Sequence, residues 1–89
     1  MEVTVKPRQN PDMTYQKVGE EAILINLNTG AYYSLNDTGT LFWELLDGDR
    51  SIADCARQIA ADYDVEPDIV EEDLIELATD FQKEGLILV

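Results

Sequence analysis

At about residue 36 the apolar residues of this chain change period, and that change sets what the chain can fold into. Before it they alternate, as on a strand half buried against a core; after it they recur three and four apart, as on one face of a helix. Val3 to Lys6 alternates briefly and is ended by Pro7, and Met13 to Val18 alternates loosely into Gly19. Ala22 to Leu27 reads as a strong β-branched strand with Ile23, Ile25 and Leu27 on one face. Asn28-Thr29-Gly30 is turn chemistry that joins it to Ala31–Leu35 in a hairpin. On that last strand Ala31, Tyr33 and Leu35 share one face and Tyr32 and Ser34 the other.

The second half predicts three helices. Asn36 is an N-cap for a helix running through Leu41, Phe42, Trp43, Leu45 and Leu46 to the Asp47-Gly48-Asp49 turn. Ser51 and Asp54 form a capping box for a second helix, whose apolar stripe is Ile52, Ala56, Ile59, Ala60 and Tyr63. After the Asp64-Val65-Glu66 turn, Pro67 suits the first position of a third helix with the stripe Val70, Leu74, Leu77, Ala78 and Phe81. Gly85 ends it, and Leu86 to Val89 is an apolar tail expected to pack as an edge strand or beneath the helices. The fold class is therefore α+β: a small antiparallel three-stranded sheet followed by three helices, winged helix-turn-helix-like. With 89 residues the expectation is one domain over 1–89, with residues 1–12 either a flexible arm or an extra strand.

Charge and missing residue types exclude several functions. Nineteen acids against six bases give a net charge of −13, the wrong sign for a phosphate backbone or an anionic membrane. A winged helix would present its third helix to DNA, and here that helix carries Lys83 among seven acids, at 68, 71, 72, 73, 76, 80 and 84. The absence of histidine removes the commonest general base and metal ligand. The acids lack the spacing of a calcium loop and read as helix caps and a solvated face. A single Cys55 makes no internal disulfide and sits as a small filler one turn into a helix, so neither a nucleophile nor a cofactor is expected. With no signal segment and no apolar run long enough to span a bilayer, the expected location is the cytoplasm.

Protein or peptide binding remains. If Ala31–Leu35 lies at the sheet edge, it offers unpaired N–H and C=O groups to which an extended peptide can add as another strand. On the third helix, turning 100° per residue puts Val70, Leu74, Leu77 and Phe81 toward the core, Ile75 and Ala78 on one shoulder, and Ile69, Asp73, Glu76 and Asp80 on the other. A shoulder beside the strand edge would wall a groove, half apolar and half acidic, suited to a peptide carrying Lys or Arg. On this reading Tyr33→Pro is expected to abolish binding by removing a strand N–H.

The ordered series Gly30-x-Tyr32-Tyr33-x-Leu35-Asn36-x-Thr38-Gly39, Trp43-x-Leu45-Leu46-Asp47-Gly48, Ser51-Ile52 and Tyr63, closed by Asp73, Leu77 and Gly85-Leu86-Ile87, resembles the PqqD-like family over residues 14 to 89. The resemblance implies a non-enzymatic recognition element of ribosomally synthesised and modified peptide (RiPP) pathways. In such elements the leader of a precursor docks as an extra strand against the third strand and lies along the third helix. Carried over, Ala31, Tyr32, Tyr33, Ser34 and Leu35 would pair with the leader. Leu74, Ile75, Leu77 and Ala78 would supply apolar floor and wall; Ile69, Asp73, Glu76 and Asp80 would flank them, the acids steering basic residues. Thr38-Gly39 and Leu46-Asp47-Gly48 favour the lasso-peptide branch, in which the partners are a precursor leader and a leader peptidase. The alternatives are delivery to a radical SAM enzyme in cofactor (PQQ) biosynthesis, and, from another class, a small winged-helix regulatory protein.

Overall fold

A computed structural model describes all 89 residues. The elements run β1 (Arg8–Gln9), β2 (Met13–Val18), β3 (Glu21–Asn26), β4 (Tyr32–Leu35), α1 (Asp37–Glu44), α2 (Ile52–Tyr63), α3 (Pro67–Lys83) and β5 (Ile87–Leu88). β2, β3 and β4 form an antiparallel sheet in that order, with Tyr15 opposite Leu24 and Leu24 opposite Tyr33. The α+β architecture expected from the change of period is the one observed.

The sheet turns the less branched of its two apolar faces inward. Ala22, Leu24 and Leu35 are buried, whereas Ile23, Ile25 and Leu27 are exposed on the outer side with Tyr32. Inward, the sheet meets Phe42 and Trp43 of α1, Ile52, Cys55, Ala56, Ile59 and Ala60 of α2, and Val70, Leu74, Ala78 and Phe81 of α3 in one core, while Tyr63, expected on the α2 stripe, is exposed at the helix end. Phe81 stacks on Phe42 at 5.9 Å between ring centroids and meets Trp43 edge-on at 6.3 Å. Such aromatic pairs add about 1 kcal/mol each beyond area burial. α1 follows β4 after a single capping residue, Asn36, whose side chain accepts from the Gly39 N–H. Gly39 permits this closeness, since a Cβ there would stand 3.2 Å from that side-chain oxygen.

The N-terminal residues are tied down, although the alternation of Val3 to Lys6 does not become a strand. The Val5 and Val3 carbonyls accept from the Ile52 and Ala53 N–H groups, satisfying donors that the start of α2 would otherwise leave open. Pro7 is fully buried, and β1 pairs with β5, Arg8 opposite Leu88, in a separate two-stranded sheet. The tail is thus both an edge strand and, through Leu86 and Ile87, part of the core. No helix is long and apolar enough to cross a membrane.

Two local devices set helix ends, and each gives a prediction. The Ser51–Asp54 capping box is formed in both directions. Its backbone and hydroxyl hydrogen bonds hold the Asp54 carboxyl below its ordinary value of 3.8. A depressed folded value means stabilisation present above the ordinary carboxylate range and lost as pH falls through the folded value. Asp54→Asn should therefore flatten the acid side of a stability-versus-pH curve measured by urea unfolding. At the end of α2, Asp64 sits in the left-handed region (φ 54°), and the Val65 N–H donates back to the Ala60 carbonyl. A side chain there costs about 1 kcal/mol. Asp64→Gly should accordingly raise the urea midpoint rather than lower it.

Candidate functional site

β4 has one partner strand, β3, and its other edge is free of the protein's own segments, because the N-terminal arm and the tail pair with each other. The hairpin decides which groups that edge presents. The Gly30 N–H donates to the Asn26 carbonyl and the Asn26 N–H to the Ala31 carbonyl, both at 2.8 Å, with Gly30 at φ 77°. This is a glycine bulge that sets Ala31 as a bonded partner of Asn26. Alternation along the ladder then turns the N–H and C=O groups of Tyr33 and Leu35 toward β3 and those of Tyr32 and Ser34 outward. The Tyr33 N–H is consequently spent inside the sheet. Proline at Tyr33 would damage the fold; the free donors belong to Tyr32 and Ser34.

The sheet has a second edge, on β2, and it is guarded. Tyr15 and Lys17, whose side chains lie on the inner face, reach Glu44 of α1 at 3.1 and 3.5 Å. An edge lysine discourages further pairing. Glu44 also raises the Tyr15 phenol above its ordinary value, first through that hydrogen bond.

Beside β4 the floor opens instead. Asn36 and Thr38 at the strand-to-helix junction face Asp73, Glu76, Leu77 and Asp80 of α3 across a cavity of about 320 Å³. Three carboxylates and no basic group line it. Leu77 is half-buried and rests on the core, as does Tyr33 on the same side of the sheet. Ile69 is exposed one turn before Asp73 on the same flank.

Not every residue expected in the groove is there. Leu74 and Ala78 are 0% exposed and belong to the core, so they offer no surface to a ligand. Ile75 lies on the opposite flank of α3, in a depression shared with Val3, Asp68, Glu71 and Glu72. α3 is rolled so that Ala78, rather than Leu77, packs innermost. The sequence marks Asn36 as an N-cap and both Asn36 and Thr38 as part of the family series, but neither as lining the groove. What could have marked them is their place immediately after an edge strand, where a helix N-terminus must turn past the groove.

Other polar groups serve local structure. Asp47 accepts from the Asp49 and Arg50 N–H groups, which hold its carboxyl below the ordinary range and close the turn after α1. Tyr63 donates to Asp37 at 3.2 Å; desolvation first, then this bond, raises its phenol.

Comparison with known proteins gives concordant matches. The family model described as coenzyme PQQ synthesis protein D (PqqD) matches residues 21–87. A solved structure of TbiB1 in complex with the TbiA(β) leader peptide is similar at a TM-score of 0.81 and 25% identity, covering 90% of this chain and 93% of that one. A lasso peptide synthetase B1 complexed with the leader peptide is similar at 0.81 and 28% identity, covering 94% and 99%. No curated protein matches the chain.

Cys55, the chain's one thiol, is 0% exposed, as a small filler should be, and burial pushes its thiol up to about 11. Near neutral pH it is a thiol, not a thiolate. Iodoacetamide should leave it unmodified in the folded protein and alkylate it in urea, as mass spectrometry would show; rapid labelling of the folded chain would contradict the placement.

Proposed function

The chain belongs to the PqqD family, and on that premise we propose that it is a RiPP recognition element of the lasso-peptide type. It binds the leader of a precursor peptide as an added strand on β4 and delivers the precursor to a leader peptidase. The single observation that carries this reading is the unoccupied outer edge of β4, with Tyr32 and Ser34 aimed outward beside an acidic cleft. The similarity to two proteins complexed with leader peptides supports it.

The division of labour follows from the geometry. Main-chain pairing with Tyr32 and Ser34 sets the direction and register of the leader without reading its sequence. Tyr33 and Leu77 give apolar contact beneath the paired segment. Asp73, Glu76 and Asp80 attract basic residues, an effect that acts on encounter as much as on affinity and fades with salt. Leu74, Ile75 and Ala78 have no part in it. None of these groups performs chemistry; the protein acts by holding an unfolded segment in one conformation. One domain over 1–89, with its arm included, suffices for this role. The family model's description supports a second reading, a role in PQQ biosynthesis, for which the resemblance implies delivery to a radical SAM enzyme.

Calorimetric titration with synthetic leader peptides of lasso precursors tests the proposal. Ser34→Pro removes an outward N–H and should abolish binding while far-UV circular dichroism stays unchanged. Asp73→Lys with Glu76→Lys should weaken binding about tenfold at low salt and less at high salt. Full affinity in a folded Ser34→Pro variant would place the peptide elsewhere.

A further inference from the structure

The main sheet has two unpaired edges, and β4 is the shorter of them. β2 runs for six residues and β4 for four, and neither has a partner strand other than β3. Their main-chain donors are equal in number. The Leu27 N–H donates to the Asp12 carbonyl at 2.9 Å. Alternation from that bonded pair turns Thr14 and Gln16 toward β3 and leaves the main-chain groups of Tyr15 and Lys17 pointing outward. Met13 would add a third donor, but its N–H is spent on the Asn10 carbonyl at 3.0 Å. Two free donors on β2 thus stand against the two of Tyr32 and Ser34 on β4, and hydrogen-bonding capacity alone does not tell a peptide where to add.

The side chains make the difference. On β4 the bonding residues, Tyr32 and Ser34, carry theirs on the outer face, and the inner side of that edge opens on the cleft with Asp73, Glu76 and Asp80. On β2 the parity is reversed. Tyr15 and Lys17 carry theirs on the inner face, where one carboxylate holds both: Glu44 Oε2 accepts from the Tyr15 phenol at 3.1 Å and Oε1 from the Lys17 ammonium at 3.5 Å. A strand added to β2 would place residues directly across from these two, about 5 Å away on the same inner face. They would meet a phenol and an ammonium already fixed in place, above an acid whose charge Lys17 offsets. A Lys or Arg suited to the floor of β4 gains nothing there and stands opposite a like charge.

We propose that Tyr15, Lys17 and Glu44 together close β2 to peptides, so that the chain takes one peptide, on β4 alone. The proposal rests on the strand-addition reading and carries it from where a peptide binds to why it binds once. Selection is by charge as well as by space: a basic peptide is drawn to the edge lined by carboxylates without a cation and turned away from the edge that displays one. Glu44 is the positioning residue, holding the other two through separate oxygens. One helix serves both edges, since α1 lines the cleft beside β4 with Thr38 and guards β2 with Glu44.

Calorimetric titration counts sites, and synthetic leader peptides of lasso precursors are the probe. Wild-type protein should bind one peptide. Tyr15→Thr with Lys17→Thr keeps strand-forming residues, frees Glu44 and should add a second site about tenfold weaker than the first. Tyr15→Thr with Lys17→Pro should lack that second site, because the outward N–H is gone. Combined with Ser34→Pro, the double threonine variant should keep the β2 site alone; if it fails to fold, Lys17→Thr carries the same test. A single site in the folded threonine variants, or two sites in wild type, would overturn the guard and leave the β4 reading standing. If wild type binds no peptide, or if folded Ser34→Pro protein binds as wild type does, the β4 reading itself falls and the guard with it.

Discussion

The packing of Phe81 on Phe42 and Trp43 is the contact on which the rest of the structure depends. α1 is joined to β4 through one residue, so whatever fixes α3 against α1 also fixes α3 relative to the edge of β4. The tail reinforces the arrangement: the Leu86 N–H donates to the Phe81 carbonyl, and Leu86 and Ile87 follow it into the core. A rigid spacing results, in which α3 stands beside β4 without closing onto it. Loss of the Phe81 ring would remove a cornerstone of the core and the spacing together, which is why the cleft cannot be treated as a surface detail.

A free strand edge is a weak binder on its own. A backbone hydrogen bond contributes about 1 kcal/mol net, and only the outward groups of Tyr32 and Ser34, with their immediate neighbours, are on offer. Ordering an unfolded peptide costs about 1 to 2 kcal/mol per residue, so pairing alone does not offset its own entropy. Side-chain contacts must supply the difference, and the floor beside β4 is where they are available. The acids there act in a chain already at −13, so their field reinforces the global one rather than competing with it.

Much of this was legible in the sequence because it is local. The period of the stripes placed α2 and α3, Asn36 and the Ser51–Asp54 pair marked helix starts, and Asn28-Thr29-Gly30 marked the hairpin. What could not be read depends on contacts distant in sequence or on a shift of one residue. Both faces of β3 are apolar, and Ala22 and Leu24 face inward only because α1 packs there; nothing in Ile23 and Ile25 announces exposure. The outward parity of Tyr32 and Ser34 hinges on the bulge at Gly30, which adds one residue to one strand. On α3, Leu77 and Ala78 stand about 100° apart on the wheel, on either side of Leu74, and which goes deeper is settled by α2 and the sheet, not by the stripe. The caps that Val3 and Val5 give to α2 are backbone carbonyls, to which composition is blind.

An open edge needs an explanation, since any extended segment tethered nearby competes for it at high effective concentration. The obvious competitor is the protein's own N-terminal arm, and it carries Lys6 and Arg8, two of the six basic residues, which the acidic cleft would attract. The arm is instead committed along its length. Val3 and Val5 cap α2, Pro7 is buried with its carbonyl accepting from Gly48, Gln9 donates to the Trp43 carbonyl, and β1 is paired with β5. Proline at position 7 further removes a donor that strand pairing would use. The small terminal sheet therefore does more than close the chain: by engaging the nearest rival in many weak contacts, it keeps the edge of β4 available to a peptide supplied from outside.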